Sequence, residues 1–354
     1  MDRKDIQKKI AGLDEKVLHL LNRRGRLARQ AGGAAGKKET AGYNPAGEEK
    51  VLRKVIRQNT GPLENSSVRA VYREILSVCR KLSGPVRVAY LGPEPTFTHA
   101  AARKQFGAAA VFIPAESVGG VFQEAETGAA DYGVVPIENS LEGAVTSTLD
   151  MLLDSPLQVC SEVFPRVSHC LLSTAALSRI ERVYSHPSVF GQCRRFLQKN
   201  LPRAELREAA STARAAEIAA AEKRSAALAG SLSASIYGLK IVRRNVEDSA
   251  SNITRFLVIG KTAPLPTGRD RTSVLFSLPH RAGSLHDALN AFKKRGINLT
   301  KIESRPSRKK AWEYYFFVDL EGHRRSKKVR EALEELERNS TFMKLLGSYP
   351  AGQV

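Results

Sequence analysis

The chain has 354 residues, a formal charge of +20 at pH 7 and four cysteines. That length is too great for one ordinary core and calls for two or three domains. No stretch reaches the roughly 18 apolar residues of a membrane span, and Met1 opens into a charged amphipathic segment, so no membrane partner and a cytoplasmic location are expected. Cys79, Cys160, Cys170 and Cys193 form no CxxC pair and no cluster with histidine, which argues against a disulfide framework and a zinc site. They read as reduced, buried thiols, and no metal or other cofactor is expected. The positive charge sits at the two ends: net +10 over residues 1–84, +2 over 85–267 and +8 over 268–354. No aromatic residues interleave with those cations, so specific nucleic-acid binding is unsupported and solvated basic faces are the reading.

In the first segment Ile6, Ile10, Leu13, Val17 and Leu20 recur at spacings of four and three, predicting a long amphipathic helix to about residue 30. A glycine-containing run over 32–47 predicts a connection. Two shorter helices follow, over 48–58 with Val51, Leu52, Val55 and Ile56 inward, and over 66–82 with Val68, Val71, Ile75 and Val78 inward. Three such helices make a thin core, so a homo-oligomer built through the long helix is expected. The run LSGP then ends the segment, giving a helical domain over 1–84.

From Val86 the pattern changes to alternating strands and helices. The strand VRVAYLG runs into GPEPTFTHAA, where Thr96 and Thr98 precede an alanine-rich helix whose free N–H groups suit an anion. Further on, DYGVVPIENSLEGAV reads as a strand ending at Pro136, with Glu138, Asn139, Ser140 and Glu142 crowded in a binding loop. Strands are predicted over 167–172 and 182–184, the latter entering SHPSVFGQC with Ser185, His186 and Gln192 near a helix start. One helix is predicted over 212–232, followed by the strand YGLKIV and the run NITRFLVIG. In that last run Thr254 and Arg255 stand immediately before an apolar strand, where α/β proteins aim groups at a ligand crevice. An arginine forks onto a carboxylate while a threonine hydrogen-bonds a departing oxygen, so the pair suits an anionic substrate that loses a hydroxyl. Residues 85–262 thus read as a two-lobed α/β domain with a cleft. After the linker KTAPLPTGRD, residues 270–354 read as a ferredoxin-like β-α-β-β-α-β unit.

The runs GPEPTFTHAA, DYGVVPIENSLEGAV, YSHPSVFGQC, GLKIVRRNVED and NITRFLVIG occur in this order, and over them the middle segment resembles prephenate dehydratase. The C-terminal segment, with GSL at 283–285 and ESRP at 303–306, resembles the ACT regulatory domain attached to that enzyme. The order of all three segments is similar to the bifunctional chorismate mutase/prephenate dehydratases of bacterial phenylalanine synthesis. The resemblance implies an all-α N-terminal domain, a two-lobed α/β catalytic domain of the periplasmic-binding-protein type and a ferredoxin-like α+β ACT domain. It implies decarboxylating dehydration of prephenate to phenylpyruvate, with Thr254 beside the departing hydroxyl, Arg255 as carboxylate clamp, and Glu138, Asn139 and Gln192 in a relaying network. Thr96, Phe97, Ser140, Ser185, His186, Ser211, Thr212, Asn252 and Phe256 are the remaining substrate-binding candidates. Pro95 departs from the glycine usual in that turn, and removes an N–H.

The resemblance also implies that phenylalanine is an effector, held by Gly283, Ser284, Leu285, Asn298, Leu299, Glu303, Ser304, Arg305 and Pro306, with Ala282 in place of the usual proline. The N-terminal helix KKIAGLDEKVLHLLNRR resembles the helical chorismate mutases, whose dianionic transition state needs several cations. Of that pattern Arg24 is retained. Gln7 stands for an arginine, Ala35 for a lysine, Asn44 for an aspartate, Gly47 for an arginine, Cys79 for a serine and Ser83 for a glutamine. Lys37 or Lys38 replaces Ala35, and Arg3 replaces Gln7, only if the register slips. Little or no mutase activity is therefore expected. The alternatives are a fully bifunctional enzyme, told by chorismate turnover, and a non-catalytic sensor, whose mark would be loss of the Thr254 and Arg255 pair.

Overall fold

A computed structural model describes residues 2–34, 43–141, 143–249, 252–307 and 314–352. Glu142, Ala35, Lys37 and Lys38 lie outside them. Three helices come first: α1 (Arg3–Ala34), α2 (Pro45–Gln58) and α3 (Asn65–Lys81). The periodicity places them well, but not their burial. Leu52 and Val68 are buried, whereas Val71 and Val78, expected inward, are exposed, as are Ile10 (52%), Leu13 (59%) and Leu20 (60%) along α1. Three helices cannot wrap every apolar stripe of one another, and this stripe finds no cover among the described residues. The domain is joined to the next by Tyr43, whose ring lies 4.6 Å from Phe106 and 5.1 Å from Tyr132. Arg80 adds a bond to the Phe106 carbonyl at 2.5 Å and pairs with Glu48.

The first lobe of the middle domain contains β1 (Arg87–Leu91), α4 (Phe97–Phe106), β2 (Val111–Ala115), α5 (Val118–Thr127), β3 (Tyr132–Asn139), β4 (Gly143–Ala144), α6 (Thr146–Asp154) and β5 (Gln158–Val163). The second contains β6 (Cys170–Ser173), β7 (Arg182–Ser185), α7 (Pro187–Gln192), α8 (Arg194–Asn200), β8 (Glu205–Glu208), α9 (Thr212–Ala221), β9 (Ser225–Ala229), α10 (Ser231–Ile236) and β10 (Lys240–Arg243). The chain then returns to the first lobe as β11 (Thr254–Gly260). The sheet orders are β2-β1-β3-β11-β5, with β4 on β3, and β10-β6-β9-β7-β8. Two crossing segments meet at the antiparallel bridge Arg166↔Ile253.

Three expectations are corrected here. Residues 212–232 are helix, strand and helix, because the alanine-rich run of β9 is wholly buried in the centre of the second sheet and tertiary pairing overrides alanine's helix preference. β5 has no signal in the sequence, since its buried Glu162 breaks the apolar pattern of a buried strand. β3 does not end at Pro136. It skips a residue instead: Phe256 pairs with Pro136 but Arg255 with Glu138, so Ile137 is bulged and the ladder resumes beyond the proline that cannot donate to it.

The last domain is β12 (Asp270–Ser277), α11 (Ser284–Lys293), β13 (Leu299–Pro306), β14 (Tyr314–Glu321), α12 (Lys327–Asn339) and β15 (Phe342–Pro350), with strand order β13-β14-β12-β15. Its sheet is antiparallel throughout, the ferredoxin-like arrangement expected. It packs on the first lobe through one shared core, in which Leu149, Leu152 and Leu257 meet Leu275, Phe317 and Leu346. At Gly347 the approach is so close that a Cβ would lie 2.3 Å from the Val159 carbonyl oxygen. Lys344 closes the end of α6 by donating to the carbonyls of Leu152, Leu153 and Ser155 at 2.9, 2.8 and 2.6 Å. All four cysteines are free and buried, and burial pushes the thiols of Cys160 and Cys193 up to about 12. Among the described residues no helix is long and apolar enough to cross a membrane, and no group of three acidic, histidine or cysteine side chains could hold a metal.

Burial holds the imidazoles of His99, His169 and His323 below their ordinary pKa. An unfolded chain takes up these protons near pH 6.5, whereas the fold resists them. Their contribution to stability is therefore complete above about pH 6.5 and is lost as pH falls below it. Melting curves at pH 7.5 and 5.5 should show a smaller acid-induced loss of Tm in His169→Gln than in wild type; equal losses would exclude His169 as a source.

Candidate active site

Thr254 is the first residue of β11 and lies opposite Asn139, the last residue of β3, and is buried, with 8% of the residue exposed. Its surroundings can be oriented from one backbone group. The Leu141 N–H donates to Asn139 Oδ1 at 2.9 Å, which fixes that amide and turns Nδ2 inward. Asn139 Nδ2 donates to Thr254 Oγ1 at 2.8 Å and to Asn252 Oδ1 at 3.1 Å. Asn252 Nδ2 donates in turn to Gln192 Oε1 at 2.8 Å, and His169 Nε2 lies 2.9 Å from the same oxygen. Gln192 Oε1 can only accept, so His169 carries its proton on Nε2. Burial keeps the ring neutral, partly offset by that bond to Gln192. The consequence concerns Thr254. With a lone pair already occupied by Asn139, its own hydroxyl proton is free to be donated.

This network spans both lobes. Asn139 and Thr254 belong to the first sheet, Gln192 ends α7, and Asn252 and His169 sit on the crossing segments. Phe97, at the start of α4, reaches across to the second lobe: its ring stands edge-on to His169 at 5.2 Å and lies beside Gly230 of the loop after β9. Thr96 caps α4, accepting from the His99 N–H at 3.3 Å and donating to the Leu91 carbonyl at 3.0 Å. Ser211 caps α9 by accepting from the Arg214 N–H at 3.0 Å, with Thr212 buried behind it. β7, β8 and β9 are parallel to one another through β7, so the helices that follow them start along one edge of the second sheet. Helix starts leave N–H groups unpaired, and the ten-residue α4 and α9 offer such groups to an anion. Pro95 is buried at the turn before Thr96, and Tyr237 of the second lobe donates to the neighbouring Glu94 carbonyl at 3.2 Å.

Other candidates have structural partners. Ser140 Oγ accepts from the Ile253 N–H at 3.1 Å. Ser185 is fully buried and donates to the Leu228 carbonyl at 2.8 Å. His186 caps α7 through Nδ1, 3.4 Å from the Ser188 nitrogen. Phe256 does not line the cleft but lies in the first-lobe core with Val163 and Val258. The larger correction is Arg255. Adjacent residues of a strand point to opposite faces, so the side chain next to Thr254 faces away from the cleft. Its Nε donates to Glu162 at 2.8 Å, Nη1 pairs with Asp319 on β14, and Nη2 donates to the Tyr349 hydroxyl at 3.0 Å. Burial alone would lower its pKa, but Tyr349, Asp319 and Glu162 together hold it raised. With all three nitrogens engaged on the far side of the sheet, the guanidinium does not stand beside Thr254 as the sequence suggested. Glu138 is likewise on that face, its carboxylate 3.0 Å from Lys301 Nζ on β13.

His169 was missed in the sequence. Its signal was the one that flagged Thr254, a polar side chain immediately ahead of an apolar strand, in the run SHCLL. Glu162, Lys301 and Asp319 carried no recognisable signal, because each acquires its meaning from a partner in another domain.

The ACT-side candidates divide. Gly283 has φ 84° at the start of α11, and Ser284 is buried with Oγ donating to the Pro279 carbonyl at 2.8 Å. Leu285 is the second residue of α11, while Asn298, Leu299 and the strand residues Glu303, Ser304 and Pro306 lie on or beside β13. Arg305 is committed elsewhere, with Nη2 2.7 Å from Asp150 of α6. In the helical domain, Asn44 caps α2 by accepting from the Gly47 N–H at 2.8 Å, so two positions where the mutase pattern has charge form a helix start instead. Cys79 is buried, and Gln7 and Ser83 are exposed. Arg24 keeps a buried Nη1 that has no hydrogen-bond partner among the described residues. A cavity of about 790 Å³ between this domain and the first lobe contains neither Arg24 nor any of the network around Thr254.

The prephenate dehydratase family model matches residues 88–264, chorismate mutase type II matches 6–84, and the ACT domain matches 272–338. The chain is 46% identical over 352 residues to the bifunctional chorismate mutase/prephenate dehydratase of Aquifex aeolicus, covering 98% of this chain and 97% of that protein. It is 42% identical over 356 residues to the Pseudomonas aeruginosa protein of the same description, with the same coverage. Among solved structures, prephenate dehydratase from Arthrobacter aurescens in complex with L-Phe is similar at TM-score 0.70 and 35% identity, over 75% of this chain and 90% of that one. Near-complete coverage by relatives of the same three-part order, together with the Thr254 network between two lobes, leaves one conclusion: the chain belongs to the bifunctional chorismate mutase/prephenate dehydratase family.

Proposed function

We propose that the chain catalyses the decarboxylating dehydration of prephenate to phenylpyruvate in L-phenylalanine biosynthesis, with Thr254 donating a hydrogen bond to the departing hydroxyl. The observation that carries this reading is the bond from Asn139 to Thr254 Oγ1, which leaves the threonine a donor at the base of the cleft. Loss of carbon dioxide supplies the electrons that expel the ring hydroxide, and the ring becomes aromatic. Threonine is too weak an acid to surrender its proton outright. It stabilises the oxygen as negative charge develops there, and a proton then arrives from water or the network. The substrate's carboxylates are taken by N–H groups at the starts of α4 and α9, not by Arg255. A neutral His169 and the amides of Gln192 and Asn252 keep the network free of any charge that would compete with the dianion.

Phenylalanine is the proposed effector, bound at the start of α11 and along β13. The exposed stripe of α1 is the proposed contact between subunits of a dimer or tetramer. The helical domain is read as a mutase scaffold with little turnover, since each lost charge-assisted contact in a desolvated site costs about 2–4 kcal/mol. A second reading, full bifunctionality, is favoured by the near-full-length relatives and by the buried Arg24 Nη1, which has no hydrogen-bond partner among the described residues.

Thr254→Ala should lower prephenate turnover by at least about 10²-fold with the fold intact; an unchanged rate would reject the assignment. Chorismate consumption by the full chain separates the two readings of the helical domain. Turnover at rates ordinary for chorismate mutases would establish bifunctionality, and a rate at least about 10²-fold lower is expected.

A further inference from the structure

The catalytic pair has a counterpart on the back of the same two strands. Asn139 and Thr254 are register partners that meet at the cleft, and Glu138 and Arg255, one residue further along, are register partners that face the ACT domain. The bulge at Ile137 sets this phase, turning Ile137 and Glu138 to the ACT side and Asn139 to the cleft. Across the interface, Lys301 on β13 and Asp319 on β14 are themselves register partners. The charges alternate: Lys301 meets Glu138 at 3.0 Å, and Asp319 pairs with Arg255. Two strands of one domain thus grip two strands of the other by a crossed set of ion pairs.

We propose that Glu138 and Arg255 are positioning residues through which the ACT domain, by Lys301 and Asp319, sets the geometry of Asn139 and Thr254 and hence the rate. This inference rests on the dehydratase reading above. Its mechanical basis is short: one peptide separates Arg255 from Thr254, and one separates Glu138 from Asn139. A twist of β11 or β3 that follows the ACT domain must move the 2.8 Å bond between Asn139 and Thr254, and misplacement of about 1 Å costs on the order of 10²-fold in rate. Arg255 cannot simply let go, because an uncompensated buried guanidinium is costly. Glu162, from the dehydratase's own β5, keeps it neutralised whatever the ACT domain does, so a shift of that domain changes geometry without discharging the site. The input side is equally direct. Lys301 lies on β13, the strand whose residues Leu299 and Glu303 flank the proposed effector site, so a ligand seated there displaces the lysine with the strand.

The test uses the full chain with Lys301→Met, Lys301→Arg and Asp319→Asn, comparing prephenate kcat and KM with and without phenylalanine, phenylalanine binding by calorimetry, and folding by circular dichroism. In Lys301→Met, kcat should fall by about tenfold with KM held within about twofold. Phenylalanine should still bind yet lose most of its effect on rate, and Lys301→Arg should restore both. Should Asp319→Asn fail to fold, the Lys301 variants decide alone, since the Glu138 left unpaired in Lys301→Met is 39% exposed and hydrated by water. A folded Lys301→Met protein with wild-type kcat and wild-type response overturns the proposal. Wild type that ignores phenylalanine removes only the effector reading, with the kcat of Lys301→Met still deciding the coupling. Wild type that does not turn over prephenate removes the dehydratase reading and this one together.

Discussion

A β-strand points successive side chains to opposite faces, and at residues 254 and 255 that alternation separates two jobs. Thr254 faces the cleft, where Asn139 takes up one of its lone pairs and leaves its proton free. Arg255 faces the ACT domain, where Glu162, Asp319 and Tyr349 surround a cation that would be intolerable alone. The bulge at Ile137 brings β3 into the same phase, so the Thr254–Asn139 bond occupies one side of the sheet and the domain contact the other. The first lobe is therefore a thin partition with a shared peptide link between its two faces.

The second lobe completes this partition from the opposite side. Gln192 and His169 extend the amide chain across the crossing segments, and the start of α4 in the first lobe and of α9 in the second carry backbone N–H groups and no formal charge. Close approach elsewhere depends on a small residue: Gly347 lets β15 lie against β5 where no side chain would fit.

The architecture was legible in the sequence wherever local pattern and burial agree. The long helix, the ferredoxin-like order of strands and the runs around Thr96, Asn139, Gln192 and Thr254 all have periodic or terminal signals that survive folding. What failed were places where long-range packing reverses a local preference. Alanines of high helix propensity form the wholly buried β9, and a charged Glu162 sits in a buried strand because two arginines, Arg255 and Arg271, neutralise it. Arg255 was read beside Thr254 because they are neighbours in sequence, yet neighbours in a strand are the residues least able to touch one ligand. In the helical domain, substitution pattern alone showed that Asn44 and Gly47 lack the expected charges; that they form a cap was visible only in the backbone.

The central claim is that the hydroxyl proton of Thr254 assists departure of the substrate's oxygen. The most direct measurement is single-turnover prephenate conversion by Thr254→Val, which keeps shape and removes the donor, beside Thr254→Ser, which keeps the donor. The account predicts a loss of at least about 10²-fold for valine and no more than about tenfold for serine. Equal rates in the two folded variants would contradict it.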